Sequence, residues 1–384
     1  MSEAAKFSPS QMAALRSRLK TLLPDDSSAS TQAAPGKTIP ELGVIFFSGL
    51  SIGQNPYELL LEVAKFVDES GFNAIWTPER HFTEVGGAYP NPSVLAAALA
   101  TVTRHVRLRA GSINLPLHDP MRVAEEWAVV DNLSGGRVDL ALAPGWHVRD
   151  FVLKSENFTA RFDIMNDYRR ELSSLWEGVE CSRIDANGHT QKIVTYPRPV
   201  QRQLPLWLTT SQKEEAWRFA GDNGLNVLTA LINFGPKDLE KRIRIYREAR
   251  AAAGLDPAKG VVSLMLHTYL DQSDDAAIET VRAPLSDYLK SFVGQHQTAN
   301  TDKDAKVNAI SAVGTDSDDF VDMVFSRYIN TSSLIGSPER AATILKTFKS
   351  MGVDEVACLV DFGVTGSDTL NSLRLLSSLI REQQ

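Results

Sequence analysis

The chain has 384 residues, 43% of them hydrophobic and 23% charged, with a formal charge of −7 from 40 basic and 47 acidic side chains. That is the composition of a globular protein long enough for one large α/β domain or two average ones, and the absence of a Lys/Arg run argues against a nucleic-acid partner. No run of about 18 apolar residues is present to cross a membrane, and Cys181 and Cys358 lie far apart with no CxxC pair, which argues against a disulfide framework or a zinc site.

Residues 1–40 read as an N-terminal extension. Met12, Leu15, Leu19, Leu22 and Leu23 fall at helical spacing, and a Ser/Asp/Ala/Thr/Pro/Gly stretch follows to Pro40. A floppy terminus and a docking helix for a partner protein both fit this pattern. No secretory apolar run is seen, so a cytoplasmic location is expected.

From residue 41 strands and helices alternate. Strands are predicted at 42–47, 73–76, 106–113, 138–142, 206–209, 226–229, 261–270 and 355–361. Helices are predicted between them, several opened by proline at the first turn, as at Pro56, Pro92 and Pro120. Residues 181–205 break the rhythm, with Asn187-Gly188 as a turn signal, and read as a hairpin excursion. A second excursion follows strand seven: a helix at 276–292, then a polar stretch at 295–319 that reads as a mobile lid over the active-site face. Eight such repeats imply a closed (β/α)8 TIM barrel in residues 41–384, with insertions after strands four and seven. No G-x-G-x-x-G or G-x-x-x-x-G-K motif supports an open nucleotide-binding sheet.

Reacting groups in such a barrel sit at the C-terminal ends of strands. Thr77-Pro78-Glu79-Arg80-His81-Phe82 is the densest of these segments. His81 reads either as an acid/base near the reacting centre or as a loop cap beside a Glu79–Arg80 ion pair. Thr210 and Ser211 sit where a helix begins and read equally as a phosphate cradle or as N-capping. Trp146, beside Gly145, reads as packing or as a surface for an aromatic cofactor. Gly49-Leu50-Ser51-Ile52-Gly53 matches the nucleophile elbow of serine hydrolases, but no earlier strands precede it and no late Asp…His pair follows.

Pro78 to Gly86, Asn114 to Glu126 and Asp131 to Val138 resemble, in order and on the matching elements, segments of bacterial luciferase and its relatives. Gly145-Trp146-His147, Ser326-Arg327-Tyr328, Leu334 to Glu339 and Gly352 to Gly363 are similar to a branch found with polyketide and nonribosomal peptide assembly lines. The resemblance implies a flavin-dependent monooxygenase that uses reduced FMN and O2, with NAD(P)H consumed by a separate flavin reductase. It implies a natural-product intermediate as substrate, either a small molecule or one tethered to a carrier protein. A hydride-transfer enzyme using a deazaflavin or FMN, and a non-catalytic flavoprotein or docking protein, are the alternatives. Homodimers are common among such barrels, and no interface signal stands out here.

The resemblance nominates His81 and Arg80 as catalytic residues. For the flavin it nominates Phe47, Ser48, Glu79, Ala110, Gly111, Ser112, Asn114, Gly145, Trp146, Thr210, Ser211 and Thr229. It also implies a non-proline cis peptide at Ala110-Gly111. Luciferase has a histidine pair where this chain has Arg80-His81, and its phosphate-gripping arginine corresponds to Pro144. Phosphate affinity is therefore expected from Thr210, Ser211 and Arg161.

Overall fold

The structure is a computed structural model that describes residues 37–47, 55–83, 86–231, 234–299, 325–326 and 328–383, with 290–299 described by their backbone alone. Contacts divide the chain into Met1–Thr38 and Ile39–Gln384. The docking-helix reading, Ser48 and nearly all of the predicted lid lie outside the described residues; the lid's first residues, 295–299, belong to a helix. Every described strand and helix belongs to the second unit.

The first strands are β1 (Glu41–Ile45), β2 (Ala74–Thr77), β3 (Arg107–Asn114) and β4 (Val138–Ala143). An antiparallel hairpin follows, β5 (Cys181–Ile184) and β6 (Thr190–Ile193), turned at Gly188 with φ 81°. Then come β7 (Leu206–Thr209), β8 (Asn226–Ala230), β9 (Val262–Leu270), β10 (Ser333–Gly336) and β11 (Glu355–Leu359). Strands β1, β2, β3, β4, β7, β8, β9 and β11 pair in that order, all parallel, and β11 returns to β1, closing the predicted eight-stranded barrel. Parallel strands covered on both faces read as apolar runs, and β4 is buried at all six positions.

Sequence reasoning missed β10. Strand β9 outruns β11, whose ladder ends at the Leu359–His267 pair, and β10 takes the vacant edge from His267 to Leu270. The cis peptide also differs from expectation: Ala110-Gly111 is trans, and the cis bond is Gly111-Ser112. It coincides with a register shift between Gly111 and Ile113, so Ser112 falls out of the ladder to β4.

The barrel is wrapped by helices α1 (Pro56–Glu69), α2 (Pro92–Val102), α3 (Pro120–Ser134), α4 (Arg161–Glu177), α5 (Glu214–Asp222), α6 (Pro236–Ala252), α7 (Asp274–Ala299), α8 (Pro338–Ser350) and α9 (Gly366–Arg381). Three of them begin with the same local chemistry. Asn55, Asn91 and Asp119 each precede a proline and accept a backbone N–H two residues on, at 3.0, 2.9 and 2.8 Å. Each such cap contributes about 1 kcal/mol and sets where the strand-end loop must stop.

Strand alternation splits the core. Leu42, Val44, Leu108, Leu140 and Val356 face the helices. Ile45, Trp76, Ala141, Trp207, Leu228 and Leu359 fill the barrel, and that interior cluster continues into Val281, Leu285 and Tyr288 of α7. At the N-terminal end the fill is charged. Arg109 is 4% exposed, donates to Asp139 at 2.6 Å and to Glu355 at 2.6 and 2.7 Å, and lies 4.7 and 4.6 Å from the rings of Trp76 and Trp207. A buried cation needs such pairing, because desolvation otherwise costs several kcal/mol.

Candidate active site

The densest strand-end segment forms a hub. Glu79 follows β2 and its side chain is fully buried. One carboxylate oxygen accepts the Asn114 backbone N–H at 2.7 Å, tying the ends of β2 and β3 together. The other lies 2.8 Å from His81 Nε2 and 2.6 Å from His118 Nε2. Burial works against the Glu79 carboxylate, but the hydrogen bonds from His118, His81 and Asn114 outweigh it and hold the group below its usual range. Burial likewise opposes the charged form of His118, and the Glu79 hydrogen bond and charge outweigh it, holding the imidazole above its usual value.

Arg80 turns the other way. Its guanidinium lies 4.8 Å from the ring of Phe47 and 5.8 Å from that of Trp146. Burial depresses its pKa, against the pull of Tyr288 and Asp150. The Glu79–Arg80 ion pair of the loop-cap reading does not form, because Glu79 is taken by the histidines. The loop can fold this tightly because Gly86 has φ +83°, and a Cβ there would lie 2.9 Å from both Arg80 Cγ and the Phe47 carbonyl oxygen. Phe47 is anchored in turn: its N–H donates to Asp361 at 2.9 Å, and the Tyr89 hydroxyl donates to the same carboxylate at 3.1 Å.

After β4, Gly145 adopts φ +76°, and a Cβ there would meet the Phe151 ring at 2.8 Å. This turn leaves Trp146 40% exposed, large for an indole had it been core packing. Arg161 donates to the Gly145 and Phe158 carbonyls at 3.1 and 2.9 Å, so it braces this loop. Asp150 is buried nearby, and burial pushes its carboxyl up to about 6 despite the opposing charges of His81 and Arg80. Gly111 faces the barrel interior, where a Cβ would lie 3.1 Å from Trp76 and 3.3 Å from Ile45.

Two nominated side chains point elsewhere. Ala110 pairs with Leu140, and Thr229 pairs with Leu264, both on the helix-facing side. Paired residues of a parallel ladder share a face, so neither side chain lines the barrel mouth, and any cofactor contact there falls to the backbone. The Ser211 side chain does not cap a helix. Lys213 holds the N-cap position of α5 with no side-chain cap, and the Ser211 carbonyl accepts the Trp217 indole N–H at 2.8 Å. Just below, the Thr209 hydroxyl is buried without a hydrogen-bond partner.

Sequence reasoning passed over His267, which sits inside the apolar run of β9. Its Nδ1 is 2.6 Å from the Tyr328 hydroxyl, its Nε2 is buried without a partner, and the rings of Tyr288, Tyr328 and Phe362 surround it at 4.6 to 5.4 Å. Burial drives its pKa down to about 3, so the ring is neutral. A histidine on the interior phase of a parallel strand was the available signal. His118 was likewise visible in the sequence without a role.

The arrangement is a buried carboxylate bonded to two histidines, beside a cationic, aromatic wall at the barrel's C-terminal mouth. Comparison with known proteins identifies the family of the chain. The profile of the luciferase-like monooxygenase family matches residues 31–355. The chain is 25% identical over 318 residues to the oxygenase component of the flavin-dependent trigonelline monooxygenase of Acinetobacter baylyi, covering 80% of this chain and 84% of that one. Among solved structures it resembles the monooxygenase RslO1 of Streptomyces bottropensis, with a TM-score of 0.73 and 21% identity over 89% of this chain and 99% of that one. It also resembles the oxygenating constituent of 3,6-diketocamphane monooxygenase of Pseudomonas putida in complex with FMN, with a TM-score of 0.71 and 17% identity over 89% of this chain and 98% of that one. Fold and sequence agree: the chain belongs to the luciferase-like monooxygenase family and is a flavin-dependent enzyme of it.

Proposed function

We propose that the protein is the oxygenase half of a two-component system, binding reduced FMN delivered by a separate reductase and using O2 to oxygenate a natural-product intermediate. The observation that carries the site assignment is the pairing of Glu79 with His81 and His118, next to Arg80 between Phe47 and Trp146. The naming of the trigonelline relative as an oxygenase component supports a partner reductase, and the FMN complex of the 3,6-diketocamphane monooxygenase supports FMN. The natural-product substrate, free or tethered to a carrier protein, rests on the resemblance of segments such as Gly145-Trp146-His147.

The residues present fit a flavin. Phe47 and Trp146 offer apolar and aromatic surface, and the Arg80 cation compensates the negative charge of a reduced flavin. Thr209 supplies an unused hydroxyl, and Thr210 and Ser211 lead into the side-chain-uncapped start of α5, which suits a phosphate. Asn114 and Ser112, at the end of β3, would complete the wall. The bound cofactor supplies the activation of O2; the protein binds, orients and keeps water out. His81 holds its Nε2–H on Glu79, which leaves Nδ1 to take or return a proton at the reacting centre.

Binding separates the parts of this reading. Reduced FMN should bind more tightly than reduced riboflavin, which lacks the phosphate, in anaerobic equilibrium dialysis. On mixing with O2, reoxidation of the bound flavin should differ from that of free flavin. Equal affinities would remove the phosphate site, and reoxidation at the free-flavin rate would remove the monooxygenase assignment.

A further inference from the structure

We infer that Glu79 couples His81 to His118, so that a proton taken up at His81 inside the site is matched by one released to solvent from His118. The inference rests on the reading of His81 as the proton-handling group. The geometry supports it in three ways. First, Glu79 Oε2 is committed to the Asn114 N–H, so both imidazoles converge on Oε1, at 2.8 and 2.6 Å. A carboxylate only accepts, so each histidine presents Nε2–H to it, and each keeps Nδ1 for other work. Second, the two rings differ in access. The His81 side chain is 12% exposed and the His118 side chain 33%, with Glu79 sealed between them. Third, polar groups lie beside His118. A pocket of about 20 Å³, the size of a single water, is lined by Glu79, His118, Asn91, Ser93 and Glu126 together with four apolar side chains. Glu126 is itself held by Ser93 and Arg122, each at 3.0 Å.

The charge balance is closed. With Glu79 ionised and His118 protonated the group is neutral. When His81 Nδ1 takes a proton from the reacting centre, His118 Nδ1 gives one to solvent, and the group is neutral again. Both Nε2–H bonds to Glu79 survive, and the buried carboxylate is never left unpaired. The reverse exchange returns a proton to the centre. The other charges facing this group are Arg80 and Asp150 on the barrel side and Glu126 on the α3 side. In this scheme Glu79 and His118 are positioning and proton-exchange residues; His81 is the catalytic one.

The test begins with the full, ligand-free chain. Histidine ring signals of His81 and His118 are followed by NMR against pH, with His81→Gln and His118→Gln for assignment. Coupling predicts that each ring's midpoint moves when the other is replaced, and that Glu79→Gln removes the upward displacement of His118. Independent titration of the two rings would overturn the inference, whatever the enzyme's activity. A second measurement uses the FMN-loaded enzyme. His118→Gln keeps an amide donor where Nε2–H sits but cannot ionise. It should leave FMN affinity unchanged, lower the proton-dependent single-turnover rate about tenfold, less than the roughly 100-fold or more of a group that transfers the proton itself, and recover with added imidazole. A wild-type pH profile in His118→Gln, together with loss in His118→Ala, would make His118 a structural pin and sink the inference. Absence of any oxygen-dependent turnover in the wild-type chain would instead fault the proposed function, leaving the titration to judge the coupling.

Discussion

The two ends of the barrel are built from the same residue types and treat them differently. At the N-terminal mouth a cavity of about 370 Å³ is lined by Arg107, Arg109, Asp139, Asp354 and Glu355. There cation meets carboxylate throughout: Arg107 and Arg109 on Asp139, Arg109 on Glu355, Arg247 on Asp354. At the C-terminal mouth one carboxylate serves two histidines, burial raises the Asp150 carboxyl to about 6, and Thr209 and His267 keep buried polar atoms without partners. Groups that satisfy each other stabilise a barrel. Groups left with unused capacity can act on something else, which is why the open chemistry lies at the C-terminal end.

The comparison breaks most visibly at Arg109. Arg109→Leu leaves buried Glu355 without its cation and Asp139 with Arg107 alone, and should cost about 3–5 kcal/mol of unfolding free energy. Urea denaturation measures it; a loss below about 1 kcal/mol would show that the N-terminal network is not a stabilising one. The opposite signature is expected at His81. His81→Ala should lower product formation on the order of 100-fold, within the acid/base range, while FMN affinity and melting temperature stay near wild type. Equal losses in stability and turnover would erase the distinction between the two ends.

Gly86 joins both properties. Gly86→Ala places a methyl against Arg80 and the Phe47 carbonyl at φ +83°, and should cost about 1–3 kcal/mol while weakening FMN binding through displaced Arg80. Unchanged binding would remove Arg80 from the cofactor wall. The smallest effect concerns pH. Asp150 has its folded value raised from 3.8 to about 6, so the folded state binds the extra proton and stability falls as pH rises across that window. Glu79 is lowered from 4.5 and His118 raised from 6.5. The Glu79 contribution is therefore lost as pH falls through its folded value, and the His118 contribution as pH rises through its own. Asp150→Asn should flatten the slope between pH 3.8 and about 6 in thermal melts, and an unaltered slope would place the titration elsewhere.

Much of this fold is legible in the chain itself. The eight barrel strands are readable because a strand covered on both faces must be a short apolar run, and Asn-Pro and Asp-Pro pairs mark where loops become helices. The strand-end rule then narrows the search to Glu79-Arg80-His81. What stays hidden is pairing. Ala110 and Thr229 are nominated by position along the chain, but which face they occupy depends on ladder register, and register puts both toward the helices. Strand β10 escapes notice because a four-residue strand shows itself only where β9 leaves an edge open.

The sequence by itself determined the barrel, its parallel order, its hairpin excursion and the strand ends where chemistry gathers, because these follow from local periodicity and capping. Only the tertiary structure decided that Glu79 abandons its neighbour Arg80 for His81 and His118, 39 residues further on. It likewise decided that His267 is a neutral ring boxed by aromatic side chains. The reason is physical: charge state and hydrogen-bond partners are set by burial and by contacts distant in sequence, and no local pattern encodes them.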